Sequence, residues 1–426
     1  MIFDFFKRMI SRGFSSTGVK AFVAFAGSNF LVSLINGFGG LLQARWVAPE
    51  TFGEIQKYGI LTTYLSIGIL VVNDGLIRQY PYYIGKGHRE KALEVAGIAK
   101  WWFVFVGYLI GGFFFVMSLV AILRGDWRAA CGWGVQITAT AASTYGIYLG
   151  IMYRTSSDFQ RLAANNLINS FVGFAALGLV RFWDYFGLAC RMVSLSMVSL
   201  FINRYYVPVK VKAVFNLREL WKLSKISLKF SLPAYFHSSF LLASRRALIL
   251  YYCFQSGLGL YSFAASLLVV VNGFSTALSQ ILNVKITTRF GQTEDVMASF
   301  KSSLKPSFCG IALSVTLIAI CWFAMPLMVE RFIPRYAEAV PCFRVLLFNL
   351  VNQSLALPLL VFKAALMWKT AAFQALTNFV VTVLLIFVLP KTITMVALAT
   401  VLGCSAEIFV GYTALFLAFR KKMNAI

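Results

Sequence analysis

The sequence predicts an all-α polytopic membrane protein of about twelve transmembrane helices, on three observations. The first is composition. Of 426 residues, 59% are hydrophobic and 13% charged, and the mean hydropathy is +0.77. A soluble domain is about 45–50% apolar and about 25% charged, so a soluble chain of this composition would have too little polar surface to show water. The second is run length. No charged residue lies between Lys20 and Arg45, or within Trp101–Leu123, Ala129–Tyr153, Pro306–Val329 and Thr370–Pro390. A helix spanning the bilayer needs roughly 20 such residues. The third is period. The runs do not alternate apolar and polar as barrel strands do, and helices are the other way to satisfy every backbone group in lipid.

In order, the predicted spans are about 20–44, 56–80, 99–123, 129–153, 160–181, 185–203, 227–251, 257–284, 306–329, 340–362, 368–389 and 393–418. The uncharged stretch Ala247–Val284 is too long for one span, and Gly257 and Gly259 mark a turn that divides it. Arg181, Asp184 and Arg191 crowd together between the fifth and sixth spans, whose exact boundaries the sequence does not fix. Before the first span, Phe3, Phe5 and Phe6 with Lys7, Arg8 and Arg12 read as an interfacial lead-in.

The net charge of +24 comes from basic residues spread over loops rather than gathered in a motif, which argues against nucleic acid as a partner. Most of the 39 basic residues fall on one set of loops. By the positive-inside rule, both termini are then cytoplasmic and the number of spans is even. The longest basic segment, Arg204–Lys229, contains Pro208 and the amphipathic run Leu217–Leu228. It reads as a cytoplasmic linker lying against anionic headgroups, the membrane lipids being its partner. The expected organisation is an N-terminal bundle at 1–205, a basic linker at 206–226 and a C-terminal bundle at 227–426.

The two bundles read as repeats. An offset of 206 residues aligns Trp46 with Tyr252, Gly53 with Gly259 and Gly85 with Gly291. It also aligns the start of the third span with that of the ninth. Six spans per repeat make the two halves parallel, and such repeats carry their substrate site at the interface between halves.

Soluble-type catalytic motifs are missing: there is no P-loop and no G-x-S-x-G, and the two histidines, His88 and His237, are far apart in sequence. Polar residues inside spans are more informative, because lipid makes them costly. Asn29, Ser33, Asn36, Gly40 and Gln43 share one face of the first span. Asn272, Ser275, Thr276, Ser279 and Asn283 share one face of the eighth. These stripes read either as helix–helix hydrogen bonding or as the walls of a shared hydrated cavity. Arg245 and Arg246 follow Lys229 by about 16 residues, or roughly 24 Å of helix. They either snorkel to the outer interface or form a cationic site for an anionic substrate. Lys57 stands at a span end, where it can snorkel or join the cavity. Asp74 and Arg78 lie one turn apart, as a local ion pair or as parts of a site. Glu407, alone in the twelfth span, is a candidate proton or cation site or the partner of a lysine on a neighbouring helix. Asp74 and Glu407 are the ion-coupling candidates. No metal cluster or cofactor motif is evident.

Four segments carry a family resemblance. They are Pro49-Glu50-Thr51-Phe52-Gly53 followed by Tyr58, Gly75-Leu76-Ile77-Arg78-Gln79-Tyr80, Ser231-Leu232-Pro233, and Gly259-Leu260-Tyr261-Ser262. With the twelve-span layout and the central basic linker, the chain resembles the bacterial polysaccharide (O-antigen type) flippases of the multidrug/oligosaccharidyl-lipid/polysaccharide exporter superfamily. The resemblance implies two six-helix bundles around a central cavity in the bacterial inner membrane. It implies a lipid-linked, undecaprenyl-pyrophosphate oligosaccharide as substrate, moved to the periplasmic leaflet by alternating access. Polysaccharide polymerase and glycosyltransferases would be its partners. The sequence departs from the pattern at Ser244-Arg245-Arg246, where many relatives carry an acidic–basic pair. That departure favours a cationic site. A cation-coupled small-molecule exporter of the same superfamily is the alternative. It needs buried carboxylates, and Asp74 and Glu407 are the ones available. A membrane glycan polymerase or ligase fits less well, because the longest predicted outer loop, Glu330–Ala339, is short.

Overall fold

The computed structural model describes residues 16–156, 158–293, 295–364 and 367–423. The aromatic and basic residues of the expected interfacial lead-in lie outside them. Among the described residues there are helices and no strands.

The first half opens with α1 (Ser16–Trp46). The second span is broken into α2 (Pro49–Leu65), α3 (Ile67–Leu70) and α4 (Asn73–Gly85). Then come α5 (Arg89–Leu123), α6 (Trp127–Thr155), α7 (Phe159–Ala175) and α8 (Leu177–Tyr205). The second half opens with α9 (Leu217–Tyr235), a π-helical turn at Phe236–Phe240, and α10 (Leu241–Thr293). It continues with α11 (Val296–Phe332), then α12 (Ala339–Leu347), α13 (Asn349–Ala356) and α14 (Val361–Ala364) along one span, and closes with α15 (Trp368–Val388) and α16 (Ile393–Met423). Two of these helices contain a reversal. The backbone turns at Asp184 (φ 42°) within α8 and at Phe254 (φ 57°) within α10. Divided there, the described residues form twelve bilayer-scale segments, six in each half.

The outer surface is apolar: Tyr108, Leu123, Phe323, Val388 and Phe409 all stand exposed. A water-soluble protein does not present so much contiguous hydrocarbon, whereas a lipid-facing surface does.

Two expectations are corrected. Pro49–Gly53, which the expected spans 20–44 and 56–80 leave as a connection, forms the first turns of α2, and the connection is reduced to Val47 and Ala48. Proline suits that position because its missing N–H would have no partner at a helix start. Gly257 and Gly259 likewise do not make the turn, which falls at Phe254. They are helical, and Gly259 serves close approach instead. A Cβ on Gly53 would lie 1.7 Å from the Gln255 carbonyl oxygen, and one on Gly259 would lie 1.9 Å from the Pro49 carbonyl oxygen. Gln255 is the repeat equivalent of Pro49, as Gly259 is of Gly53. The contact is therefore reciprocal, the mark of a local two-fold relation. It cross-braces the two halves at the end remote from the basic loops, where Tyr336 Oη also donates to the Val47 carbonyl (3.1 Å).

At the basic end the linker does not simply float on headgroups. Residues 207–216 are outside any helix and pass along α5, with Val214 N donating to Gly97 O (3.1 Å) and Lys100 Nζ donating to Val211 O (2.7 Å). The amphipathic run then enters α9, whose Leu220 and Leu223 bury against Val72 and Leu76 of the first half.

Candidate functional site

Two cavities flank the first limb of α10. Adjacent residues on a helix point about 100° apart, so Arg245 and Arg246 part company: Arg246 lines one cavity and Arg245 the other. Leu242, Ala265 and Val269 form a wall common to both.

The first cavity, about 500 Å³, lies between the halves. One side is the polar face of α1, with Ser33, Asn36 and Gln43. The other is α10, with Arg246 and Ser262. Its second cation is Arg191 of α8, which the sequence reading treated only as a boundary marker. Arg191 Nε donates to Gly173 O at 2.9 Å, and its Nη1 donates to the Gln43 side-chain carbonyl. Arg246 Nε is buried with no hydrogen-bond partner among the described residues, as is Ser262 Oγ. No Asp or Glu is among the residues lining this cavity.

The second cavity, about 510 Å³, lies within the second half, among α10, α13, α15 and α16. Glu407 lines it. Instead of pairing with a lysine, this carboxylate meets His237 Nε2 at 2.7 Å and accepts from Asn378 Nδ2 at 2.8 Å. Thr382 Oγ1 in turn donates to Asn378 Oδ1 (3.0 Å), holding the amide in place. The approach of α15 to α16 needs a glycine, since a Cβ on Gly403 would stand 2.0 Å from Thr382 Oγ1. His237 is aimed by the backbone. Pro233 removes a helical N–H, and the chain answers with the π turn at Phe236–Phe240 that carries His237. Arg245 donates from Nε to its own helix at Leu241 O (3.2 Å), and Asn272 and Asn349, which also line the cavity, each have a buried Oδ1 with no partner among the described residues.

The remaining candidates are dispersed. Asn36 lines the first cavity, and Asn29 lies two turns away on the same face of α1. Lys57 stands over the ring of Tyr58 at 4.9 Å and is not among the cavity-lining residues. Asp74 ties the halves together at the basic end: it accepts from Ser231 Oγ (2.6 Å) and from Asn73 Nδ2 (3.0 Å), while its N–H donates to Ser227 Oγ (3.2 Å). Arg78 is exposed nearby. His237, Asn378 and Arg191 escaped the sequence reading. The signal for Asn378 was present, because Gln374, Asn378 and Thr382 recur every four residues on one helical face.

No protein-family model matches the chain, and no curated protein does. Solved structures do match. A multidrug resistance MATE family transporter of the MOP superfamily in its inward-facing conformation superposes with a TM-score of 0.69 at 14% identity, over 94% of this chain and 98% of that one. The chain shares the fold of this transporter. An outward-facing MATE structure matches at TM-score 0.66 and 15% identity, covering 95% of this chain and 96% of that one. A MOP superfamily transporter from Pyrococcus furiosus matches at 0.65 and 15%, with the same coverage, and is described by a reversed binding-pocket polarity that suggests a different function.

Proposed function

We propose that this protein is a flippase that moves a lipid-linked, undecaprenyl-pyrophosphate oligosaccharide from the cytoplasmic to the periplasmic leaflet of a bacterial inner membrane. The observation that carries the reading is the cavity between the halves, which holds Arg191 and Arg246 and no lining carboxylate. Guanidinium groups bind phosphate oxygens through paired, charge-assisted hydrogen bonds. In a low-dielectric setting they gain most from a ligand that brings negative charge. The polar face of α1 supplies neutral donors and acceptors for sugar hydroxyls. The isoprenoid tail stays in the bilayer while the headgroup crosses. The halves, 1–205 and 227–426, rock about the cavity with the 206–226 linker between them, both termini staying cytoplasmic. Glu407, gripped by His237 and Asn378, serves as the ion-coupling group: exchanging a proton or cation there alters the packing of α10 against α15 and α16.

The test is deletion of the gene, followed by complementation. The expected result is loss of surface polysaccharide and retention of lipid-linked glycan on the cytoplasmic face, both restored by the wild-type gene. Normal surface glycan, in a strain with no second flippase, would overturn the reading. One observation favours a second reading, a cation-coupled small-molecule exporter: Glu407 lies in a cavity large enough for a drug-sized cation. Resistance to cationic compounds on expression, abolished by Glu407→Gln, would select it.

A further inference from the structure

A groove on the outer face of the first half shares no residue with the two cavities above. At its wide end, a cavity of about 450 Å³ is lined by Lys100 of α5, Arg204 of α8 and Lys210 of the linker, with Tyr145 between them. A second cavity, of about 610 Å³, shares Lys100, Tyr145 and Arg204. It continues along α5 over Gly107, Gly111 and Gly112, walled by Ile137 and Leu200. The small residues on α5 make the trough and the large ones on α6 and α8 make its sides. No Asp or Glu lines either part.

The charges at the wide end are arranged for a ligand. Lys100 Nζ spends one hydrogen bond on Val211 O, which leaves two of its three N–H directions. Arg204 lines the same two cavities as Lys100. Like charges held together without a counter-charge are unfavourable, and an anion between them reverses the sign of the interaction. Phe201 and Tyr205 stand exposed at the rim, the position amphipathic aromatics take at headgroup level. The trough leads from these cations into the apolar flank of the protein. The pattern of cationic head site, aromatic rim and apolar trough matches one amphiphile.

We propose that this groove binds an anionic phospholipid of the cytoplasmic leaflet, with its phosphate between Lys100 and Arg204 and an acyl chain along Gly107–Gly112. Because Val207, Val209 and Val211 of the linker wall the head site, the bound lipid also pins the linker to the first half. The site is separate from the transport cavities and stands whether or not the transport reading does.

The test is native mass spectrometry of the full-length protein released from nanodiscs containing equal phosphatidylglycerol and phosphatidylcholine. Wild type is expected to retain phosphatidylglycerol selectively. Each basic residue near an anionic lipid surface is worth about fivefold, so Lys100→Gln with Arg204→Gln is expected to lower retention by about tenfold or more. A Cβ on Gly112 meets nothing within 4 Å. Gly112 lines the trough, so Gly112→Trp places a large side chain there from an unobstructed Cβ and is expected to lower retention with the cations intact. Lys225→Gln, which removes a charge from α9 outside the groove, is expected to leave it unchanged. Equal retention of the two lipids, an equal loss in Lys225→Gln, or displacement of phosphatidylglycerol by undecaprenyl phosphate at matched concentration would each overturn the assignment.

Discussion

The cavity between the halves and the cavity within the second half are nearly equal in volume and share a wall of α10, yet their charges are handled in opposite ways. In the first, Arg191 bonds to neutral groups, the Gly173 carbonyl and the Gln43 amide, and Arg246 Nε has no partner among the described residues. In the second, Glu407 meets an imidazole and an amide within 2.8 Å. Burying a charge in a medium of low dielectric costs several kcal/mol unless it is paired. The second cavity meets that cost internally. The first meets it through water or through a ligand of opposite charge. The comparison teaches that two arginines adjacent in sequence need not belong to one site, and that the cavity with no lining carboxylate is the better receptor for an anion.

Three experiments test that contrast, from the largest expected effect to the smallest. Charge-assisted hydrogen bonds contribute about 1.5–3 kcal/mol each. Arg191→Ala combined with Arg246→Ala is therefore expected to lower transport by about 100-fold or more, measured as glycan translocation in proteoliposomes at matched protein content. An equal loss from Arg245→Ala alone would erase the distinction between the cavities. Glu407→Gln keeps the size of the side chain and removes its charge. We expect gradient-driven uptake to fall about tenfold while movement down the substrate gradient persists, in line with the loss of one ionic contact; parallel loss of both rates would make Glu407 a packing residue. The smallest effect concerns the pair itself. In a double-mutant cycle of His237→Gln and Glu407→Gln followed by thermal unfolding, a coupling of about 0.5–3 kcal/mol is expected for groups in direct contact. Additive losses would mean that the 2.7 Å contact adds nothing to stability.

The candidate site was legible in part. Arg246 stood out because a charge deep in an apolar run is costly wherever it lies. The polar face of α1 stood out because steps of three and four residues mark one side of a helix whatever surrounds it. Arg191 was hidden beside Arg181 and Asp184, where local charge density read as a loop boundary. Its importance comes from Gln43 and Gly173, which the sequence holds 148 and 18 residues away. His237 was hidden for a similar reason: its partner Glu407 lies 170 residues on, and its aim depends on a π turn that no periodicity announces. The glycine pair shows both levels at once. The offset that aligns Gly53 with Gly259 was visible in the sequence, but it suggested a turn. Packing revealed instead two helix backbones pressed together.

By itself, the sequence determined that this chain lives in lipid as a bundle of helices and that its two halves are alike. Those properties depend on local composition and period, because hydrocarbon accepts only apolar surface and self-satisfied backbone. Only the tertiary structure decided which charges have partners and which line a cavity without a counter-charge. That depends on which helical faces meet, and side chains far apart in the chain meet only after the helices have packed.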